Sequence, residues 1–219
     1  MSDGADAGHR ALVDELAALV GLAHTALGGV TAVLMEPDDG EDGIAIAEKA
    51  LGELLARVEE DAAATPGGRA GVVVGVHVGC ELEALAQLTR RLLEAAWARQ
   101  ERGAFDGRLR DPLHGLAGAA LDLVARSADV LRSGAAEGVA DVLSELHEVG
   151  QRQRLLYGLL LRADSSEDAR EDSREDSREK ATDPVDVTDL VLLACCYQQC
   201  ADRAGAIARH AVLFAQAGA

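Results

Sequence analysis

Apolar residues recur every three or four positions through nearly the whole chain, which is the spacing of one face of an α-helix. From His9 to Met35 the pattern predicts one long helix. PDDGED at 37–42 ends it, because Pro, Gly and paired Asp favour turns. A second helix puts Ile44, Ala47, Leu51, Leu54, Leu55 and Val58 on one face, and TPGG at 65–68 interrupts again. A third is predicted from about Arg69 to Arg102. Its opening, GVVVGVHVG at 71–79, has the composition of a strand. The three-four spacing nevertheless continues through Val78, Leu82, Leu85, Thr89, Leu92 and Ala96, so helix is the better reading.

GAFDGRLRDP at 103–112 reads as a midpoint break. Leu113, Leu116, Ala120, Leu123 and Val130 then mark a fourth helix, to about Arg132. After SGAAEG, a fifth carries Val139, Val142, Leu146, Val149, Gln153, Leu156 and Leu160 in alternating steps of three and four. Gln153 is a polar residue on that stripe, read as a register device or as a wet end of the bundle. DSSEDAREDSREDSREK at 164–180 has no apolar face to bury and reads as an acidic linker, spanning 164–184 before the last helix. The last stripe runs Leu190, Leu193, Tyr197, Cys200, Ala204, Ile207, Ala211, Phe214. The fold class is therefore all-α, with six long helices.

Composition narrows the picture. Hydrophobic residues make up 48% of the 219, but aromatics only 2%, so the core must be built from Ala, Leu and Val. Net charge is −17, and only Lys49 and Lys180 among the 21 basic residues are lysine. An acidic, lysine-poor, alanine-rich chain fits a salt-rich cytoplasm, where ions screen its self-repulsion. No basic patch suits it to nucleic-acid phosphates. The first residues, MSDGADAGHR, lack the basic and apolar regions of a signal peptide, and no uninterrupted run of 18 apolar residues occurs. A cytoplasmic protein with reduced thiols, not inserted in a membrane, is expected.

Three of the four cysteines lie in one stretch, LLACCYQQC. Cys200 sits in the middle of the last apolar seam and reads as a small buried hydrophobe. Cys196 and Cys200 are one turn apart, but no second cysteine pair completes a thiolate metal site. His77 and Glu81 are also one turn apart, with Cys80 beside them. That trio would suit a transition metal with help from another helix, against the plainer reading of a histidine making one hydrogen bond. His210 lies two turns beyond Asp202 and reads as a rim residue. Neither a nucleophile elbow, a P-loop nor a dinucleotide fingerprint occurs, and the paired Glu-x-x-His of helical metal enzymes is missing, so no enzyme is expected.

The two halves look alike. Each has two amphipathic helices, a breaker with proline, then a third long helix. Pro66 precedes Glu83 by 17 residues, and Pro184 precedes Asp202 by 18. Around those acids stand CELEALAQLTRRLLEAA (80–96) and QCADRAGAIARHAVLFA (199–215). A first three-helix repeat over 9–104 and a second over 108–217 is the economical division. Here the chain resembles the PhoU family of phosphate-uptake regulators. CADRAGAIARHAVLF is similar to the family's LERIADHAVNIAE helix, as is LEALAQLTRRLLEAA in the first half. RLLYGLLLR at 154–162 is similar to RLYFLLVR of archaeal members, and with the acidic composition suggests a haloarchaeal type.

The resemblance implies a PhoU-like pair of three-helix bundles. It also implies divalent or transition metal binding through one E/D-x-x-x-D motif per bundle, since acids at i and i+4 share a helix face. Glu83 and Asp202 occupy the first motif positions, but Gln87 and Ala206 stand at the second, so each motif lacks its partner carboxylate. The implied function is non-enzymatic: a homodimer binding the cytosolic domain of a membrane transporter, or its sensor kinase, to regulate phosphate import or signalling. PhoU-like bundles also serve as cytosolic modules of cation channels and transporters, for potassium or divalent ions, which is the alternative. Archaeal relatives with an N-terminal DNA-binding domain suggest a transcription regulator, but too few residues precede the first helix here.

Overall fold

The computed structural model describes residues 2–36, 40–61, 68–167 and 184–218. Among them the elements are six helices: α1 (Ser2–Met35), α2 (Gly40–Asp61), α3 (Gly68–Arg102), α4 (Gly107–Ser133), α5 (Ala136–Glu167) and α6 (Pro184–Gly218). The strand-like opening of α3 is helical, as its downstream spacing requires. Helices start earlier than their apolar stripes: α2 begins at Gly40, inside the PDDGED stretch, and α5 at Ala136. SDGADAG has no apolar face to announce the first turns of α1. α6 begins on Pro184, whose missing N–H costs nothing at a helix start. α4 runs straight through Pro112, which lies in the stretch whose composition predicts a break. Asp106 caps α4 by accepting a hydrogen bond from the Arg108 N–H at 3.0 Å, and buried Phe105 and Leu109 pin its start to the core. Pro112 therefore removes only one bond near the end of an anchored helix. α5 takes in 164–167 of the acidic stretch, and the rest of the linker lies outside the described residues.

Helices α1, α3, α6 and α4 pack in a closed ring, each against the next, with α2 laid over α1 and α3 and α5 over α4 and α6. Exchanging α1, α2, α3 for α4, α5, α6 maps this set of packings onto itself. Each outer helix is tied down by an ion pair, with the charges reversed between the halves. Arg57 of α2 pairs with Glu15 of α1, and Arg126 of α4 with Glu145 of α5. The halves meet along α1–α4 and α3–α6.

The core is alanine, leucine and valine, as the scarcity of aromatics demands. The expected seams of α3, α4 and, from Leu190 to Ala211, α6 are buried throughout. Buried Thr31, Thr89 and Ser127 each donate to a carbonyl about one turn back, so their hydroxyls are satisfied locally. Tyr197 spans the core to reach Thr31 at 2.9 Å. Thr31 gives its proton to Leu27 O at 2.7 Å, so the Tyr197 hydroxyl is the donor in the pair. Arg10–Met35 and Val72–Gln100 are long and apolar enough to cross a membrane by length and composition. Charged residues interrupt both stretches. In α1 this apolarity forms the centre of the core, whereas Val72, Val73 and Val76 at the start of α3 stay exposed.

Candidate functional site

The α3–α6 seam joins the two halves and gathers most of the chemistry that the sequence singled out. The helices run antiparallel: Arg99 meets Asp186, Glu81 meets Arg203, and His77 meets His210.

At one end Arg99 is only 2% exposed. Its guanidinium pairs with Asp186, lies 3.7 Å from Asp189, donates from Nε to Gly103 O at 3.1 Å, and stacks on Phe105 with its carbon 3.8 Å from the ring centroid. Arg102 holds Asp189 at 2.7 Å. The acids sit in the first two turns of α6, where the helix dipole also favours negative charge. A buried cation so fully partnered is a structural clamp. Gly103, at φ 86°, supplies the left-handed turn that brings its carbonyl back to Arg99.

Midway lie Cys195, Cys196 and Cys200, all free thiols. Cys200 is buried, and burial pushes its thiol well above the ordinary range. Burial also raises Cys196, against the pull of Arg91 across the seam. Thiolate is the reactive and metal-binding form, so both are held in the inert one. Cys195 faces α5 instead, with Sγ 3.1 Å from the Tyr157 hydroxyl. Burial and then that contact push Tyr157 up to about 12. Gln153 donates to Tyr157 Oη at 3.1 Å and to Ala194 O at 3.2 Å. The polar residue on the α5 stripe is thus a tie to α6.

Toward the other end Glu81, with its side chain 17% exposed, accepts from Arg203 at 3.1 Å. Beyond it the His77 and His210 rings stack, centroids 4.8 Å apart and planes 9° from parallel. Burial, then the nearby His77, lower the pKa of His210, while Glu81 opposes them. His210 is half-buried, with its ring against that of exposed His77 on α3.

The predicted metal residues divide into two sets. Glu83 is exposed, and its carboxylate accepts from Gln87, the residue at its own second motif position, at 3.5 Å. Asp202 is exposed and accepts from Gln198, one turn earlier, at 3.2 Å. His77 and Glu81 both face α6, whereas Cys80 is exposed. Among the described residues no group of three or more His, Cys, Asp or Glu side chains converges into a set that would hold a metal ion. Sequence reasoning did not foresee the Arg99 clamp or the partnership of His77 with His210. Laying α3 and α6 antiparallel from their matched acids would have placed both.

Six helices in two exchangeable sets of three, joined along α1–α4 and α3–α6, define a PhoU-like all-α fold. Among solved structures the chain is similar to PhoU from Pseudomonas aeruginosa, with a TM-score of 0.74 at 14% identity, covering 97% of this chain and 99% of that one. The likeness is one of fold, to a bacterial PhoU. No family model matches the sequence, and no curated protein matches it.

Proposed function

We propose that this chain is a non-enzymatic, cytoplasmic regulator of phosphate transport or phosphate signalling that acts by binding a partner protein. The observation that carries the reading is the full-length likeness to PhoU, which leaves neither half of the chain outside the shared fold. Residues 9–104 and 108–217 are its two repeats, and an exposed helical face serves for homodimer contact. The partner is the cytosolic domain of a membrane transporter, or its sensor kinase. A chain of net charge −17 favours a basic docking surface on that partner, through electrostatic steering. Exposed Glu83 and Asp202, each bonded to a glutamine, contribute to such a surface as acids.

The test is affinity capture with the tagged full chain from detergent-solubilised membranes in high salt, followed by mass spectrometry. Recovery of a phosphate permease, its ATPase or a phosphate-sensing kinase is the expected result. Recovery of a cation channel or transporter would replace phosphate with ion-flux control as the regulated process.

A further inference from the structure

We propose that His77 and His210 form a two-imidazole site for a borderline transition-metal ion such as Zn²⁺ or Ni²⁺, bridging the two halves of the molecule. The site is separate from the exposed acids Glu83 and Asp202, and it does not depend on the regulatory reading above.

Two imidazoles from different helices stand 4.8 Å apart between ring centroids. Two nitrogens that share one metal must each lie about 2.0–2.1 Å from it, so rings at this spacing are within reach of a common ion. The rings are within 9° of parallel, so their in-plane lone pairs do not yet converge. Rotation about χ2, a broad and soft torsion for histidine, turns a nitrogen of each toward a shared point without moving either backbone. His77 is exposed, which gives the ion a way in and leaves room for water as the remaining ligands.

His210 is half-buried beside the His77 ring. Arg203 and Arg209 lie on the same helix as His210. Glu81, one turn from His77, opposes them and offsets part of a bound cation's charge. Its carboxylate is engaged by Arg203, through one nitrogen only. It therefore acts near the ion without being one of its two protein ligands. Imidazole nitrogen selects borderline metals over Mg²⁺ or Ca²⁺, which want oxygen. Metal across α3 and α6 would fasten the first repeat to the second at the end of the seam opposite the Arg99 clamp.

The experiment is a titration of the purified full chain with Ni²⁺ and Zn²⁺ against a chromophoric chelator. All proteins carry Cys80→Ala so that an exposed thiol does not contribute. One equivalent is expected to bind, unaffected by excess Mg²⁺, and to raise the melting temperature. His77→Ala and His210→Ala should each weaken binding by more than the roughly 10–100-fold typical of losing an outer-shell partner. Glu83→Gln with Asp202→Asn should leave it unchanged. His77 is exposed, so its alanine variant tests the site without disturbing the core. No binding, binding insensitive to both histidines, or binding lost in the Glu83/Asp202 variant would each overturn the proposal.

Discussion

At the scale of single residues, the Thr31–Tyr197 pair separates the two ways of losing a buried hydrogen bond. Tyr197→Phe removes the donor and leaves Thr31 bonded to Leu27 O, so the cost should be about 0.5–1.5 kcal/mol. Thr31→Val strands a buried phenol and should cost more, about 1–3 kcal/mol. Urea unfolding of both variants checks the order, and the reverse order would mean that Tyr197 finds another acceptor. A pH prediction follows from the same core. Tyr157, Tyr197, Cys196 and Cys200 all have folded pKa values raised above ordinary values of 10.0 for tyrosine and 9.0 for cysteine. Each holds its proton more tightly folded than unfolded, so its contribution is complete below the unfolded pKa and is lost as pH rises toward the folded one. Stability should fall steadily as pH is raised beyond about 9, and Cys200→Ala should make the fall shallower. A flat profile in unfolding experiments over that range would contradict the burial argument. Cys200 was legible from the sequence because a seam position alone places a side chain inside. His210 was not, because its partner is set by how α3 and α6 register, and a helical stripe shows only which face is turned inward.

Whole elements were the most readable level, because long stripes in an alanine-rich chain repeat the same signal many times. Their ends were least readable: Pro112 looked like a stop, but an Asp106 cap and two buried anchors outweigh one missing N–H. Helix contact distance was also hidden. α1 and α2 approach through Gly29 and Gly43, where a Cβ on Gly29 would come within 2.7 Å of Gly43 O. Gly29→Ala gains about 1 kcal/mol of helix propensity but meets backbone that has no room to yield, so a net loss of about 1–3 kcal/mol is expected. Gly52, on the same helix as Gly43 but with open space around it, is the control, and alanine there should stabilise. Equal effects in thermal melts would show that α1 and α2 are not in close contact. On the α3–α6 seam, Arg99→Met should cost about 1–3 kcal/mol by leaving Asp186 without its cation, while Asp189 keeps Arg102. Arg99→Lys should not restore it, because an ammonium lacks the planar face that lies on Phe105 and the fork that reaches Gly103. Full recovery by lysine in urea unfolding would reduce the clamp to simple charge.

For the molecule as a whole, charge and fold pull in opposite directions. The chain carries 38 acidic and 21 basic residues, so folding gathers a large excess of one sign into a small volume. Ion pairs such as Arg57–Glu15 weaken as salt rises, but the Arg99 clamp is buried and little screened. Acidic residues exceed basic ones by 17, so the repulsive part of the balance is the larger, and salt screens it. The screening distance falls from about 10 Å at 0.1 M to about 3 Å at 1 M ionic strength. Across that range the melting temperature should rise, then level off once carboxylates no longer sense one another. NaCl and KCl should act alike, because screening depends on ionic strength. Sulfate at equal ionic strength should add a further rise from exclusion at the apolar surface, which separates the two effects. A melting temperature that is flat or falling in chloride would show that the acidic surface does not oppose folding, and would remove the physical basis for reading this composition as an adaptation to salt.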